Sequence, residues 1–437
     1  MPVDSLAVTS TNPCSTYRSR ENKMQKLNRS DCEKLDLQDS LASFREEFSL
    51  PENDIYMSGN SLGAMPKKAL AKAQEIITEH WGKSLIKSWN IHDWFTLSQT
   101  IGDKLAPTIG AGQGEVVVTD ATGINIFKVV SAALTLNPTR KKIVMEGSNF
   151  PTDNYTVQGL VKLLADTVEI VFAEEEEGIL AAIDESVALV CITQVHYKSG
   201  RLLDMKKITE KTQACGAISV WDLCHSGGAL PIDLNACNVD FAIGCTYKYY
   251  NGGPGSPAFV FCAKRHQGKA LQPLTGWYSH AEPFAFERDY RPAENINQML
   301  SGTQGIISLA VSEIGIDITA RADMQAIRAK SQKMGDLFMQ LIEQECAQFD
   351  FTIISPKDAD RRGSQVAMSH KEGYAIVQAL IAAGVMGDFR APDTLRFGLT
   401  PLYLRYIDVW DAVARLKNIM ENETYKQEEF NRKLAVT

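Results

Sequence analysis

The sequence predicts an α/β fold built on a mostly parallel sheet. β-rich runs alternate with longer helical stretches from Glu115 onward. The β-rich runs are continuously apolar instead of alternating, the mark of strands covered by helices on both faces. Helical stretches fill the gaps, as parallel crossovers require.

In chain order, residues 1–30 come first. Their Ser/Thr/Asn-rich composition reads as a disordered lead-in, and they lack the apolar core of a secretion signal. Glu115–Thr119 reads as a strand, followed by a helical stretch through Leu134. Lys142–Met145, Val168–Phe172, Ala188–Thr193, Ala217–Trp221, Phe241–Gly244 and Ala258–Cys262 are further strands, and Asp204–Cys215 is a crossover helix. Glu174-Glu-Glu-Glu177 reads as a solvated loop. After residue 305 the character changes. Ile306 to about Phe349 reads as one long helix, with Ile307, Val311, Ile314 and Ile318 close to helical period. Short strands and helices from Phe351 suggest a smaller α+β domain. The expected division is a lead-in (1–30), an N-terminal segment plus large domain (31–305), and a linking helix with a small C-terminal domain (306–437).

Composition narrows the function. Of 437 residues, 45 are basic and 53 acidic, a net charge of −8 that argues against a general nucleic-acid binder. No apolar run reaches the length of a membrane span. The nine cysteines form no C-x-x-C pair, so neither a zinc ribbon nor a thioredoxin motif is supported. Most lie in apolar runs, as in Ala188-Leu-Val-Cys-Ile192, where a reduced thiol packs as a small hydrophobe. That pattern fits a reducing compartment, and the expected location is cytoplasmic.

The chemistry concentrates in Asp222-Leu-Cys-His-Ser226 and in Gly244-Cys-Thr-Tyr-Lys-Tyr-Tyr-Asn-Gly-Gly-Pro-Gly255. Ligands of α/β sheets bind at the C-terminal strand ends. Asp222 and Lys248 stand at two such ends. A lysine beside an aspartate there suggests pyridoxal phosphate (PLP): the amine forms a Schiff base with the cofactor aldehyde, and the carboxylate keeps the pyridine nitrogen protonated. The plain alternatives are a surface lysine and a helix-capping aspartate. His225 and the glycine-rich turn after Lys248 weigh against them. Thr119-Asp-Ala-Thr-Gly-Ile-Asn125 follows a strand and opens a helix, so its N–H groups and the Thr122 hydroxyl can hold a phosphate. A plain helix cap is the competing reading. Phe150, in Ser148-Asn-Phe-Pro-Thr-Asp153, is a candidate to cover the pyridine ring.

These motifs, with Gly59-Asn-Ser-Leu-Gly63, Thr246-Tyr-Lys-Tyr249, Gly276-Trp277 and Arg396-Phe-Gly-Leu-Thr-Pro-Leu-Tyr403, resemble the kynureninase family, most nearly its bacterial members. The resemblance runs from about residue 31 to the C-terminus. It implies the aspartate-aminotransferase-like PLP-dependent transferase fold, with a large domain around the parallel sheet and a smaller α+β domain. It implies a PLP-dependent hydrolase of carbon–carbon bonds that converts L-kynurenine to anthranilate and L-alanine, in tryptophan degradation or NAD biosynthesis. Lys248 is then the Schiff-base lysine, Asp222 pairs with the pyridine nitrogen, and His225 lies beside the ring. Phe150 stacks on the ring and Asp153 sits close by. Ala121 and Thr122 hold the phosphate, Tyr247 bonds it and serves as an acid, and Thr193 lines the site. Trp277 and Thr303 reach the phosphate of the neighbouring subunit in a homodimer with shared sites. Arg396 binds the substrate carboxylate, while Trp89, His280 and Gly302 lie near the substrate.

Trp89 offers an apolar wall and Gly302 no side chain, so 3-hydroxykynurenine is expected to be the poorer substrate. The chain departs from the usual family pattern at Ala121, Gly123, Cys224, Gly227, Tyr278, Ser279 and Gly305, none of which removes a group the chemistry needs. Three rivals remain. A related lyase such as a cysteine desulfurase needs a reactive cysteine on a late loop, yet only Cys346 follows Cys262. A nicotinamide dehydrogenase is opposed by Gly110-Ala-Gly-Gln-Gly114, which lacks the G-x-G-x-x-G spacing. A PLP-binding regulator would want an appended DNA-binding module.

Overall fold

The computed structural model describes residues 26–433. Its centre is a seven-stranded sheet made of β1 (Val116–Val118), β2 (Lys142–Glu146), β3 (Glu169–Ala173), β4 (Val187–Thr193), β5 (Ile218–Asp222), β6 (Phe241–Gly244) and β7 (Phe259–Cys262), in the spatial order β1-β7-β6-β5-β4-β2-β3. All strands run parallel except β7, which pairs antiparallel with β1 and β6. All seven residues of β4 are buried, whereas the edge strand β3 is only partly covered. That contrast explains why the inner strands read as unbroken apolar runs.

Helices α2 (Thr122–Leu136), α3 (Pro151–Leu163), α4 (Glu175–Ala182) and α5 (Met205–Ala214) follow β1, β2, β3 and β4 in turn. One apolar cluster joins Val117, Val129, Met145, Val157 and Val260 on one side of the sheet. Another joins Ile101, Val190, Ile208, Trp221 and Phe259 on the other.

A second, four-stranded antiparallel sheet is made of β8 (Thr352–Ile353), β9 (Gln365–Ser369), β10 (Asp388–Arg390) and β11 (Thr394–Gly398), in the order β8-β9-β11-β10. Its core also takes Cys32, Leu41, Phe48 and Met57 from the N-terminal segment. There Ile55–Tyr56 pairs with Val385–Met386, so the two ends of the described chain share one core.

Three expectations are corrected. Residues 26–433 include two residues of the expected lead-in that are helical, because α1 (Arg29–Asp36) starts at Arg29 behind an Asn28 capping box. Residues 1–25 of that lead-in lie outside the described residues. The acidic run is not a loop: Glu175, Glu176 and Glu177 form the first turn of α4, where carboxylates suit the helix dipole. Glu176 is buried. Arg361, Lys207 and the Asp204 amide outweigh its burial and hold its carboxyl down to about 2. The stretch from Ile306 is two helices, α6 (Ile306–Arg321) and α7 (Met324–Glu345). They part at Ala322–Asp323 because the Asp323 carboxylate caps the new helix through the Gln325 amide. Among the described residues, no helix is long and apolar enough to cross a membrane.

Candidate active site

The C-terminal ends of the parallel strands surround a cavity of about 450 Å³. Each strand delivers one functional group. At the end of β5, Asp222 stands opposite Thr193, the last residue of β4. The Asp222 carboxylate accepts a hydrogen bond from the Cys224 amide at 2.8 Å, which orients it toward the cavity it lines. Four residues past β6, the Lys248 ammonium donates to His225 Nε2 at 2.8 Å. Burial, and then the Lys248 charge, hold the His225 imidazole well below its usual range, so it stays neutral.

Past β2, Pro151 opens α3 and turns Phe150 and Asp153 into the cavity. Phe150 keeps 44% of its surface exposed, an aromatic face available for a planar ring. Lys248 Nζ lies 6.0 Å from the Phe150 centroid. Asp153 is buried, and its carboxyl accepts from Asn149 Nδ2 at 2.8 Å. Burial, and then the nearby Asp222 carboxylate, raise it well above the usual range. Two carboxyls that share one dry site cannot both ionise freely.

Past β1, α2 opens with Ala121 at its N-cap, and among the described residues no side chain caps it. Ala121, Thr122 and Gly123 all line the cavity, so the free N–H groups and the helix dipole present an anion site. Tyr247 lines the same cavity. The neighbouring Cys245 sulfur, and then burial, push its phenol up, so it remains a proton donor. The Thr193 hydroxyl lies 3.2 Å from the Val195 carbonyl, and Thr303 completes the wall.

These groups fit PLP. The cavity combines one amine, a carboxylate at a strand end, an exposed aromatic face and an uncapped helix N-terminus. Those are the partners of an aldehyde, a pyridinium, a ring face and a phosphate.

The substrate candidates lie outside this wall. Arg396 is buried and sits directly across from Asp388 in the β10–β11 ladder. Its Nε and Nη2 donate to the two Asp388 oxygens at 2.7 Å each. Nη2 also donates to Ser61 Oγ at 2.8 Å, and Nη1 donates to the Tyr197 carbonyl at 2.5 Å. Tyr197 itself lines the cavity and meets Phe150 edge-on, so the guanidinium stands one residue behind the wall. Trp89 packs against Trp94 and Tyr278. His280 is buried at a separate surface pocket with Trp277, its Nε2 3.6 Å from Glu287. A side chain at Gly302 would meet open space.

The glycine motif near the N-terminus also acts here. Gly63 N donates to the Tyr247 carbonyl at 2.7 Å, and a side chain at Gly63 would overlap the Lys248 carbonyl. Sequence reasoning missed Tyr197, Asn149, Asp120 and Gln304 as cavity residues. Asn149 and Asp120 stand inside motifs already singled out. Tyr197 carries no local signal, because only the packing of the loop after β4 brings it to Phe150.

A family profile described as "Kynureninase C-terminal domain" matches residues 327–416. The chain is 49% identical to a kynureninase of Pseudomonas fluorescens over 413 residues, which cover 94% of this chain and 99% of the relative. It is 47% identical over 407 residues to a kynureninase of Burkholderia pseudomallei, covering 92% and 98%. Among solved structures, a cysteine desulfurase from Thermococcus onnurineus superposes with a TM-score of 0.73 at 17% identity, covering 87% of this chain and 98% of that one. A mutant of the enzyme C-DES with glycine covalently linked to its PLP cofactor gives 0.74 at 16% identity, covering 86% and 99%. At that identity these two likenesses concern the fold.

Proposed function

The chain belongs to the kynureninase family, and from that premise we propose how its own residues divide the work. It is a PLP-dependent enzyme that hydrolyses L-kynurenine to anthranilate and L-alanine. The observation that carries the reading is the convergence of Lys248, Asp222, Phe150 and the uncapped start of α2 on one cavity.

PLP, when bound, is an electron sink for charge that develops on the substrate carbons. Lys248 is the attachment point and moves the proton at the substrate α-carbon. Asp222 holds the pyridine nitrogen in its charged form, with Asp153 beside it. Phe150 covers one ring face. Ala121, Thr122 and the first N–H groups of α2 hold the phosphate. His225, neutral and 2.8 Å from Lys248, accepts from the amine and aims it. The Tyr247 phenol, which keeps its proton in this site, is the acid for the substrate β-carbon, the atom that gains a hydrogen when the carbon–carbon bond breaks.

Arg396 receives the substrate carboxylate. Asp388 occupies the Nε–Nη2 edge and fixes the plane of the guanidinium, so the substrate carboxylate would be met from the Nη1 side. We assign Trp89, His280 and Gly302 to the aromatic end of the substrate, although all three lie outside the cavity's own lining and His280 lines a separate pocket. Trp277 serves the phosphate site of a second copy, so the unit is a homodimer; it supports this by lying outside the chain's own cavity and remaining 37% exposed, whereas Thr303 lines the chain's own cavity and gives no such support. We divide the chain into an N-terminal segment plus cofactor unit (31–305) and a smaller unit (306–437), whose core the N-terminal segment joins. The location is cytoplasmic, supported by eight described cysteines that are all free thiols. Cysteine desulfurases share only the fold. Cys346 is buried in the second core, where burial pushes its thiol up to about 12, far from a reactive thiolate.

The test is an anthranilate fluorescence assay on the wild type and on Lys248→Ala. Wild type releases anthranilate from kynurenine. The variant loses turnover together with the absorption of the lysine-bound cofactor. Unchanged anthranilate release by the variant would overturn the role of Lys248.

A further inference from the structure

The start of α2 carries a feature that the roles above do not use. Asp120, immediately before the N-cap, lines the cavity with its backbone in the left-handed region at φ 48°. A non-glycine residue held there is strained unless its surroundings fix it. Hydrogen bonds to Ala258 fix it on the main chain: Thr119 N donates to the Ala258 carbonyl at 2.7 Å, and Ala258 N donates to the Asp120 carbonyl at 2.8 Å.

On the side chain, the partner is Lys128, fully buried on the second turn of α2. Its ammonium donates to Asp120 Oδ2 at 2.6 Å and to the Met299 carbonyl at 2.8 Å. Met299 precedes the segment whose Thr303, Gln304 and Gly305 also line the cavity. The Thr119 hydroxyl lies within reach of both Asp120 Oδ2 (2.9 Å) and Gln304 Oε1 (3.0 Å). One buried cation therefore joins the start of α2 to the chain segment that leads into Thr303, Gln304 and Gly305.

The charges matter as much as the geometry. A carboxylate next to a phosphate cradle repels a phosphate, and the Asp120 side chain, 29% exposed, is only partly screened by water. A buried ammonium 2.6 Å from that carboxylate cancels it locally. A buried lysine also needs such a partner to stay charged.

We propose that Lys128 is a positioning residue for the cofactor phosphate, acting through Asp120: it neutralises the carboxylate that shapes the mouth of the cradle and ties the cradle to the 299–305 segment. The inference rests on the PLP reading of the cavity.

The test compares PLP with pyridoxal, which has the same ring and aldehyde without the phosphate. Each is titrated into the full-length chain after removal of its cofactor, for the wild type, Lys128→Met, Asp120→Asn and the double variant. Lys128→Met is expected to weaken PLP by about tenfold or more while changing pyridoxal by less than about twofold, because only the phosphate feels the uncancelled charge. Asp120→Asn is expected to keep the preference for PLP, and the double variant to restore it to within about threefold of wild type. A purely structural role would weaken both ligands together in Lys128→Met, and that result overturns the proposal. If Lys128→Met does not fold, the other two decide: a loss of PLP preference in Asp120→Asn or in the double variant overturns it. Wild type that binds neither compound would sink the PLP reading itself, a different failure.

Discussion

Lys248 Nζ and His225 Nε2 stand 2.8 Å apart, one on the loop after β6 and the other on the turn after β5. Neighbouring parallel strands bring them together, and a neutral imidazole gives the amine an acceptor at a fixed place. Replacing His225 by Leu removes that acceptor. The expected result is a fall in kcat/KM of about tenfold or more, with a smaller fall for His225→Gln, whose amide oxygen can still accept. Steady-state anthranilate production measures both. Equal losses in the two variants would show that the acceptor is not what matters.

Arg396→Lys keeps a positive charge but removes the planar fork. KM for kynurenine is expected to rise by about tenfold or more, with kcat less affected, because the lost interaction concerns binding of an unreacting carboxylate. Asp388 also loses its two-point partner, so the melting temperature should fall. A change in kcat alone would contradict the binding role.

Gly302 bears on substrate choice. A side chain there meets open space, so Gly302→Ser introduces a hydroxyl without a clash. The wild type should show a higher kcat/KM for kynurenine than for 3-hydroxykynurenine, and the serine variant should narrow the ratio. Equal or reversed values in the wild type would refute the assignment of Trp89 and Gly302.

Asp153 makes stability depend on pH. Its carboxyl is raised in the fold, by burial and then by Asp222, above an unfolded value near 4. Between those two values the folded chain binds the extra proton, so this group's contribution to stability declines as pH rises through the window. In the cofactor-free protein, the melting temperature of Asp153→Asn should fall less from pH 5 to pH 8 than that of the wild type. Parallel curves for the two proteins would exclude Asp153 as the source.

The parallel sheet was legible from Glu115 onward because burial on both faces leaves a local trace, an unbroken apolar run such as Val187–Thr193. The lysine, the aspartate and the glycine-rich turns were legible because each follows a strand, and strand ends face one side of such a sheet. The break at Ala322–Asp323 was not legible because Ile307, Val311, Ile314 and Ile318 set the helical period before it, while one capping carboxylate starts a new helix after it.

Some features belong to the tertiary structure alone. That Glu176 is a buried hub and not a solvated charge depends on Arg361, which is 185 residues away. That the fork of Arg396 is already held by Asp388 depends on the register of two short antiparallel strands. That the cradle beginning at Ala121 sits on a neutralised ion pair depends on a helix turn folding Lys128 back toward Asp120 and Met299. Sequence patterns record what each element must bury. Which charged groups meet across elements is decided by packing, because those contacts join residues with no common periodicity.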